Sequence, residues 1–213
     1  MQDVTKVLTA HYKKCLERYG ATPRAMEWRK PEDLWLRFEI MLRVIRDKRK
    51  QFTLLDVGCG IGLLLDYLFE HDYPIKEYVG IDATSNIVEA AKDLHPSQKF
   101  VCADICDSAV ELPEFDYVVT NGMFNLRYTA TVEKMDRFFH CATQRMYSLC
   151  NIGMAFNVMS SHVNYRSDKV YYKDPGEVIA YCVKNLSRFV KVYHDYPLYE
   201  YFTCVYRPVP MRQ

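Results

Sequence analysis

A glycine-rich turn with an acidic residue in front of it is the part of the sequence best suited to hold a ligand. The turn reads D-V-G-C-G-I-G from Asp56 to Gly62 and follows the apolar run FTLL. Glycines let a chain bend tightly and let a ligand approach the backbone with no Cβ in the way. Leu63 stands where the dinucleotide fingerprint has its third glycine, and the Walker sequence is missing from the chain. The missing Walker sequence excludes a P-loop NTPase, and the dinucleotide fingerprint is incomplete.

Three further segments follow the turn, and each contains an apolar run with an acid at one end. Asp82 closes the run YVGID, Asp104 lies near the end of FVCADI, and Asp116 opens FDYVV. In open α/β sheets ligands bind at the carboxyl ends of the strands. We therefore expect the turn, Asp82 and Asp104 to lie at one edge of the same sheet.

Taken together, the turn and the three segments resemble the motifs of the class I S-adenosylmethionine-dependent methyltransferases. They occur in the order and spacing of that family, over roughly residues 52–160. The resemblance implies a Rossmann-like fold and S-adenosylmethionine as cofactor, with S-adenosylhomocysteine as product. It also implies transfer of a methyl group to an oxygen or nitrogen of a small polar acceptor. The resemblance further suggests an accessory enzyme that modifies surface-glycan precursors or secondary metabolites.

The resemblance assigns the cofactor-binding residues. Asp56 would lie near the ammonium of the ligand, Asp82 would accept both ribose hydroxyls, and Asp104 would accept from the adenine amino group. Capping of the turns that follow is the alternative role for Asp82 and Asp104. The glycines would admit the amino-acid end and the ribose, and two apolar residues would enclose the adenine ring. The further cofactor candidates from the turn onward are Gly58, Cys59, Gly60, Gly62, Ala83, Ile105 and Asn121.

Two residues near the N-terminus complete the predicted cofactor site. Trp28 lies in a turn-rich connector, ATPRAMEWRK at residues 21–30, and Arg37 follows in a helical pattern. In many small methyltransferases this part of the chain folds over the cofactor as a lid. Arg37 could hold a ligand carboxylate, and Trp28 could exclude water. The alternatives are a tryptophan that only packs and an arginine in solvent.

Histidines near the ends of the last strands are the candidates for a general base, since histidine titrates near neutral pH. His194, next to Asp195 and Tyr196, is the first choice and His162 the second. Either could instead be a solvated loop residue. An acceptor with an acidic oxygen would need no base at all, because alignment alone can suffice.

Aromatic and basic residues of the C-terminal part are candidates for the acceptor pocket. Arg127 could bind an anionic acceptor, and Tyr171, Tyr172 and Tyr196 could line the pocket. Asn121 is followed by Gly and Met rather than by two prolines, so the N-P-P-[YF] motif of enzymes that methylate amino groups of DNA and proteins is missing.

The elements that must position these residues follow from hydrophobic periodicity. The first 50 residues are predicted to be helical, and residues 34–46 carry one apolar stripe. Strand and helix then alternate four times, which is typical of a doubly wound α/β sheet. Two final strands are separated by so few residues that they must pair antiparallel. We predict a mostly parallel seven-stranded sheet with an antiparallel closing strand. A single domain, 1–213, would comprise a helical lid (1–50), a cofactor core (51–160), and substrate-side loops with the closing hairpin (161–213).

Composition limits the partners. The 28 basic and 27 acidic side chains of the 213 residues leave a net charge of +1, which provides no broad field for nucleic acid or membranes. Neither an apolar signal core nor a run of the roughly 20 apolar residues of a membrane span is seen. The eight cysteines contain no C-x-x-C pair, so we expect free thiols, no metal and a cytoplasmic protein. The oligomeric state is open. The rival functions are an NAD-dependent oxidoreductase and a non-catalytic methyltransferase-like partner subunit.

Overall fold

A mostly parallel β-sheet is the centre of the computed structural model, which describes residues 2–208 and their side chains from Val4 onward. Its strands lie side by side in the order β3-β2-β1-β4-β5-β8-β7. Strand β8 is antiparallel to both β5 and β7, and the other pairs along this order are parallel. The strands are β1 Phe52–Val57, β2 Ile75–Asp82, β3 Lys99–Cys102, β4 Phe115–Thr120, β5 Cys150–Ser160, β6 Tyr172–Lys173, β7 Val190–Tyr193 and β8 Glu200–Tyr206.

The predicted doubly wound sheet of seven strands with an antiparallel closing strand is confirmed. Strand β6 is an addition, since it pairs in parallel with Met159 and Ser160 at the end of β5. With two residues it is too short to produce a period-two pattern in the sequence.

Helices cover both faces of the sheet. They are α1 Gln2–Tyr19, α2 Pro31–Met41, α3 Leu63–Glu70, α4 Ser85–Leu94, α5 Val132–Leu149 and α6 Pro175–Asn185. Proline occupies the first turn of α2 and α6, where a missing N–H costs nothing. Asp174 caps α6 by accepting from the backbone N–H groups of Gly176 and Glu177. Short 3₁₀ turns at Pro23–Met26 and Leu42–Val44 follow α1 and α2.

The core consists of two apolar layers, one on each side of the sheet. Alternate residues of β4 serve different layers: Val118 packs with α5 residues such as Phe138, whereas Tyr117 packs with α2 residues such as Phe38. The apolar stripe predicted for residues 34–46 is buried in the second layer. Each of the eight cysteines is a free thiol, as predicted. Among the helices of residues 2–208, none combines the length and apolarity that crossing a membrane requires.

Candidate active site

A cavity of about 670 Å³ opens at the carboxyl ends of β1, β2, β3 and β4. Helix α1 and the connector (residues 21–30) contribute its outer wall, and the loop at 165–170 closes one side. Ligand pockets of proteins commonly measure about 300–1,000 Å³. The volume therefore suits a ligand of nucleoside size together with a small second molecule.

The glycine-rich turn forms the floor of the cavity. Gly58 and Gly60 line it with φ of 71° and 57°, conformations that favour glycine. The backbone N–H of Gly58 donates to the carbonyl of Ile81 at 2.8 Å, which ties the turn to β2. Gly62 begins α3 and does not line the cavity; a Cβ there would lie 2.7 Å from the ring of His95. The structure thus gives Gly62 a packing role between α3 and α4 rather than a place at the ligand.

Asp82 and Asp104 face the cavity and also cap the turns that follow them. Asp82 accepts from the backbone N–H groups of Gly60 at 3.2 Å and Thr84 at 2.9 Å. Asp104 accepts from the hydroxyl of Thr5 at 2.7 Å and from the backbone N–H of Cys106 at 2.8 Å. A carboxylate offers about four lone-pair directions. Capping therefore leaves each carboxylate free to accept further hydrogen bonds from a ligand.

Asp56 lies deeper, at the end of β1. Only 4% of the residue is exposed, and one carboxylate oxygen accepts from the hydroxyl of Tyr78 at 2.8 Å. Burial raises the pKa of Asp56 to about 7, against the lowering effect of the Tyr78 hydrogen bond, and the charge of Asp82 raises it further. A cationic group placed in the cavity would favour the ionised form.

Trp28 and Arg37 meet at the cavity wall. The guanidinium of Arg37 lies 4.9 Å from the centre of the Trp28 ring, and its Nε donates to Glu200 at 2.7 Å. The side chain of Glu200 is 1% exposed and also accepts from the amide of Asn125 at 3.2 Å. Arg37 is therefore a partner in a buried ion pair and not a solvated residue. Glu200 and Asn125 line the cavity too, although no pattern in the sequence distinguishes them.

Eleven of the twelve cofactor-binding candidates from the sequence line the cavity. Gly62 is the exception. Those at the cavity are Trp28, Arg37, Asp56, Gly58, Cys59, Gly60, Asp82, Ala83, Asp104, Ile105 and Asn121.

The two histidines selected as general bases are not at the cavity. His194 is exposed after β7, the outer strand of the sheet, and its ring contacts that of Tyr201. His162 is exposed as well, with Nε2 3.2 Å from a carboxylate oxygen of Asp174. His194 thus follows the outer strand and His162 lies beside the residue that caps α6, so neither lines the cavity, and a catalytic role for either stays a prediction.

The four residues selected for the acceptor pocket also lie outside the cavity and make internal contacts. The hydroxyl of Tyr171 donates to Asp136, and that of Tyr172 accepts from the backbone of Ser167. Tyr196 packs on Phe202, and Arg127 donates to the carbonyl of Ala130 at 2.7 Å. Internal contacts therefore hold these side chains, although the buried hydroxyl of Tyr196 has no hydrogen-bond partner among the described residues.

A polar cluster on the outer wall was missed in the sequence. His11 of α1 lines the cavity, with Nε2 3.2 Å from Oε1 of Glu27 and its ring stacked on Tyr128 at 3.9 Å. The hydroxyl of Tyr128 donates to the other oxygen of Glu27 at 2.7 Å. Tyr12, next to His11, lines the cavity as well, and burial raises the pKa of its phenol. The contacts of Tyr128 with this cluster cross more than a hundred residues and leave no local pattern in the sequence, which is why the cluster was missed.

The same cluster brings three potential metal ligands together. The ligand atoms of His11, Cys15 and Glu27 lie within 4.8 Å of one another. The three are already hydrogen-bonded or in contact around Nε2 of His11.

Comparison with known proteins shows that the chain is similar to methyltransferases. A family model described as "Methyltransferase domain" matches residues 55–146. A Mycobacterium tuberculosis protein named as a methyltransferase, Rv1506c, is 31% identical over 155 residues, which cover 70% of this chain and 90% of that protein. The chain therefore belongs to the class I S-adenosylmethionine-dependent methyltransferases.

Solved structures of low sequence identity share the fold. The DhpI–SAH complex superposes with a TM-score of 0.65 at 15% identity and covers 99% of each chain. Magnesium protoporphyrin IX methyltransferase from Synechocystis with bound SAH gives a TM-score of 0.59 at 12% identity, over 82% of this chain and 83% of the other. Human N-acetylserotonin methyltransferase in complex with SAM gives 0.62 at 14% identity, over 84% of this chain and 54% of the other.

Proposed function

We propose that the protein transfers the methyl group of S-adenosylmethionine to an oxygen or nitrogen of a small polar acceptor. The observation that carries this proposal is the single cavity that runs from Asp82 and Asp104 to His11 and Tyr128. The part lined by Asp82 and Asp104, which we call the inner end, has carboxylates that can accept the hydrogen bonds an adenosyl amino acid donates. The part lined by His11 and Tyr128, which we call the outer end, has other polar side chains. Two structural neighbours are named for small acceptors, magnesium protoporphyrin IX and N-acetylserotonin. A surface-glycan precursor or secondary metabolite is the acceptor class we propose.

The residues at the inner end fit the cofactor. Gly58 and Gly60 place backbone without side chains against the cavity, and Ala83 and Ile105 supply apolar walls for a flat ring. Asp82 would hold ribose hydroxyls through charge-assisted hydrogen bonds. The cofactor supplies an activated methyl group, so the protein must align the acceptor and keep water out. Trp28 and the connector cover the cavity and would serve that second task.

Binding of S-adenosylhomocysteine, measured by calorimetry, tests the cofactor assignment. We expect saturable binding, and none for NAD. Asp82→Ala should weaken the affinity by about 1.5–3 kcal/mol, the scale of hydrogen bonds to a charged group. Asp93→Ala, an exposed acid on α4, is the matched control and should leave the affinity unchanged. Equal affinities of the two variants would contradict the role of Asp82.

A screen of hydroxyl- and amino-bearing metabolites for a mass gain of one methyl group tests the activity. We expect methylation that requires S-adenosylmethionine and is lost in Asp82→Ala at low cofactor concentration. A protein that binds S-adenosylhomocysteine but methylates no acceptor would support the rival reading, a non-catalytic partner subunit.

A further inference from the structure

We propose that His11 is the general base that takes the proton from the acceptor atom, and that Glu27 and Tyr128 position it. The inference rests on the proposed function and assigns the outer end of the cavity to the acceptor. It concerns a histidine that lies at the N-terminal helix, more than forty residues before the glycine-rich turn.

The hydrogen bonds of His11 determine which ring nitrogen is available. Nε2 lies 3.2 Å from Oε1 of Glu27. In the tautomer with hydrogen on Nε2, this nitrogen donates to the carboxylate of Glu27, which accepts. The sulfur of Cys15 also lies 3.2 Å from Nε2. Nδ1 has no hydrogen-bond partner among residues 4–208 and therefore keeps a free lone pair. This is the arrangement in which a neutral imidazole accepts a proton.

Glu27 and Tyr128 hold the ring in place. Tyr128 stacks on the imidazole at 3.9 Å with 26° between the planes, and its hydroxyl donates to Oε2 of Glu27 at 2.7 Å. The carboxylate of Glu27 thus bridges the two rings. Both Glu27 and Tyr128 have positive φ, 61° and 47°, which residues other than glycine rarely adopt. Such backbone conformations are concentrated at functional sites.

The other titratable groups that face the cluster are poor candidates for the base. Burial raises the pKa of the phenols of Tyr12 and Tyr128 and of the thiol of Cys15, so all three stay protonated near neutral pH. Glu27 already accepts two hydrogen bonds. Asp82 contributes a negative charge near Tyr12 but is bound to backbone N–H groups at the inner end.

The remaining ionisable groups at the outer end are also unsuitable. Glu200 is paired with Arg37, and Arg29 and Lys169 are basic side chains that also line the cavity. His11 is therefore the side chain at this end with an open, basic nitrogen.

The chemical step balances with these groups. The acceptor atom attacks the methyl carbon and forms a new bond to it, while the bond from that carbon to sulfur breaks. The electron pair of the broken bond stays on sulfur, which becomes the neutral thioether of S-adenosylhomocysteine. The proton of the acceptor passes to Nδ1 of His11, and the resulting imidazolium is stabilised by the carboxylate of Glu27 until the proton leaves to solvent.

Replacement of His11 by glutamine tests its role. We expect His11→Gln to slow methylation of an acceptor found in the screen by about 100-fold, the scale of a lost general base. Affinity for S-adenosylhomocysteine should be unchanged. His71→Gln is the matched control, because His71 stacks on Tyr67 at 4.0 Å in the same way but does not line the cavity. A His11→Gln enzyme as active as the His71→Gln enzyme would overturn the proposal while leaving the methyltransferase function intact.

A positioning role of Glu27 is separable from a merely structural one. A comparison of kcat with KM makes this separation. Glu27→Gln should lower kcat for methylation and leave both the KM of the acceptor and the affinity for S-adenosylhomocysteine unchanged, because the imidazole loses the partner that orients it. An unchanged kcat in Glu27→Gln would contradict the positioning role of Glu27.

A spectroscopic measurement tests the assignment without an acceptor. In ¹⁵N-histidine-labelled protein saturated with S-adenosylhomocysteine, NMR should show neutral His11 with hydrogen on Nε2 and none on Nδ1. Hydrogen on Nδ1 would overturn the proposal. If wild-type protein binds S-adenosylhomocysteine but methylates nothing in the screen, both the function and the role of His11 fail together.

Discussion

Asp56 is a buried carboxyl at the cavity, and the proposed contact with the ligand ammonium would link cofactor binding to pH. Because burial raises its pKa to about 7, the side chain is largely protonated in acid and ionised in base. In the free protein this shift costs stability as pH rises from the unfolded value near 4 to about 7. A ligand ammonium beside the carboxylate would offset that cost, since opposite charges favour the ionised form.

The affinity for S-adenosylhomocysteine should therefore rise with pH. About one-tenth of Asp56 is ionised at pH 6 and about nine-tenths at pH 8, so we expect the dissociation constant to fall roughly tenfold between these values. Calorimetry at both pH values measures this. Asp56→Asn should remove this difference, whereas Asp116→Asn should preserve it, because Asp116 binds Thr53 outside the cavity. Affinity in the wild type that is independent of pH would show that Asp56 does not contact the ammonium.

The residues of the cavity differ in how far the sequence could predict them. Asp56, Asp82 and Asp104 were predictable because each lies at or just after the carboxyl end of a strand with a strong apolar signal. His11 and Glu27 were not, since their partners are brought together only by the packing of α1 against the rest of the fold. His194 and His162 were selected by proximity to strand ends; the first contacts Tyr201 and the second lies beside Asp174, and neither lines the cavity.

Two glycines of neighbouring loops leave the room in which the connector packs against the cavity. A Cβ at Gly60 would lie 2.8 Å from the sulfur of Met26, and one at Gly122 would lie 2.9 Å from the Trp28 ring. Both glycines also have positive φ, 57° and 86°. The absence of side chains at these two positions is what lets the connector approach so closely.

Alanine at Gly122 should test this contact. The positive φ costs about 1–2 kcal/mol of unfolding free energy, and the new Cβ must displace Trp28. We expect Gly122→Ala to lose that stability and to bind S-adenosylhomocysteine more weakly. Urea denaturation and calorimetry provide the two measurements.

Gly20 offers a matched control for the alanine substitution. It has a φ of 65°, and no atom lies within 4 Å of the place its Cβ would take. Gly20→Ala should show a similar loss of stability with no loss of affinity. Equal affinities of the two variants would mean that the position of Trp28 does not affect ligand binding.

At the level of elements, the sequence predicted strands and helices wherever burial of one face produces a regular spacing of apolar residues. The alternation of parallel strands and helices from β1 to β5 was predicted, as was the antiparallel pair β7 and β8. Helix α2 is shorter than its apolar stripe, because Leu42–Val44 tighten into a 3₁₀ turn that keeps the same face buried. Periodicity does not distinguish these two conformations over three residues.

The ion pair of Arg37 with Glu200 joins two elements that are far apart in the sequence. It connects α2 to the first residue of β8 across 163 positions, and both side chains are largely buried. Removing one member of a buried pair leaves an uncompensated charge, which typically costs about 3–5 kcal/mol. An exposed pair, such as Arg43 with Glu39, is worth about 0–1 kcal/mol.

Arg37→Ala should consequently lower the free energy of unfolding by about 3–5 kcal/mol, and Arg43→Ala by about 1 kcal/mol at most. Denaturant unfolding measures both. Adding Glu200→Gln to Arg37→Ala should restore part of the loss, because the neutral amide no longer leaves a buried charge. A double variant less stable than Arg37→Ala would contradict this explanation.

The position of β8 also has a consequence for how the protein matures during synthesis. This strand leaves the ribosome last among the strands, yet it must insert between β5 and β7 and bring Glu200 to the cavity wall. A nascent chain cannot complete the pocket until β8 has left the ribosome. The cavity wall and the sheet are therefore completed in the same step, when β8 pairs with β5 and β7.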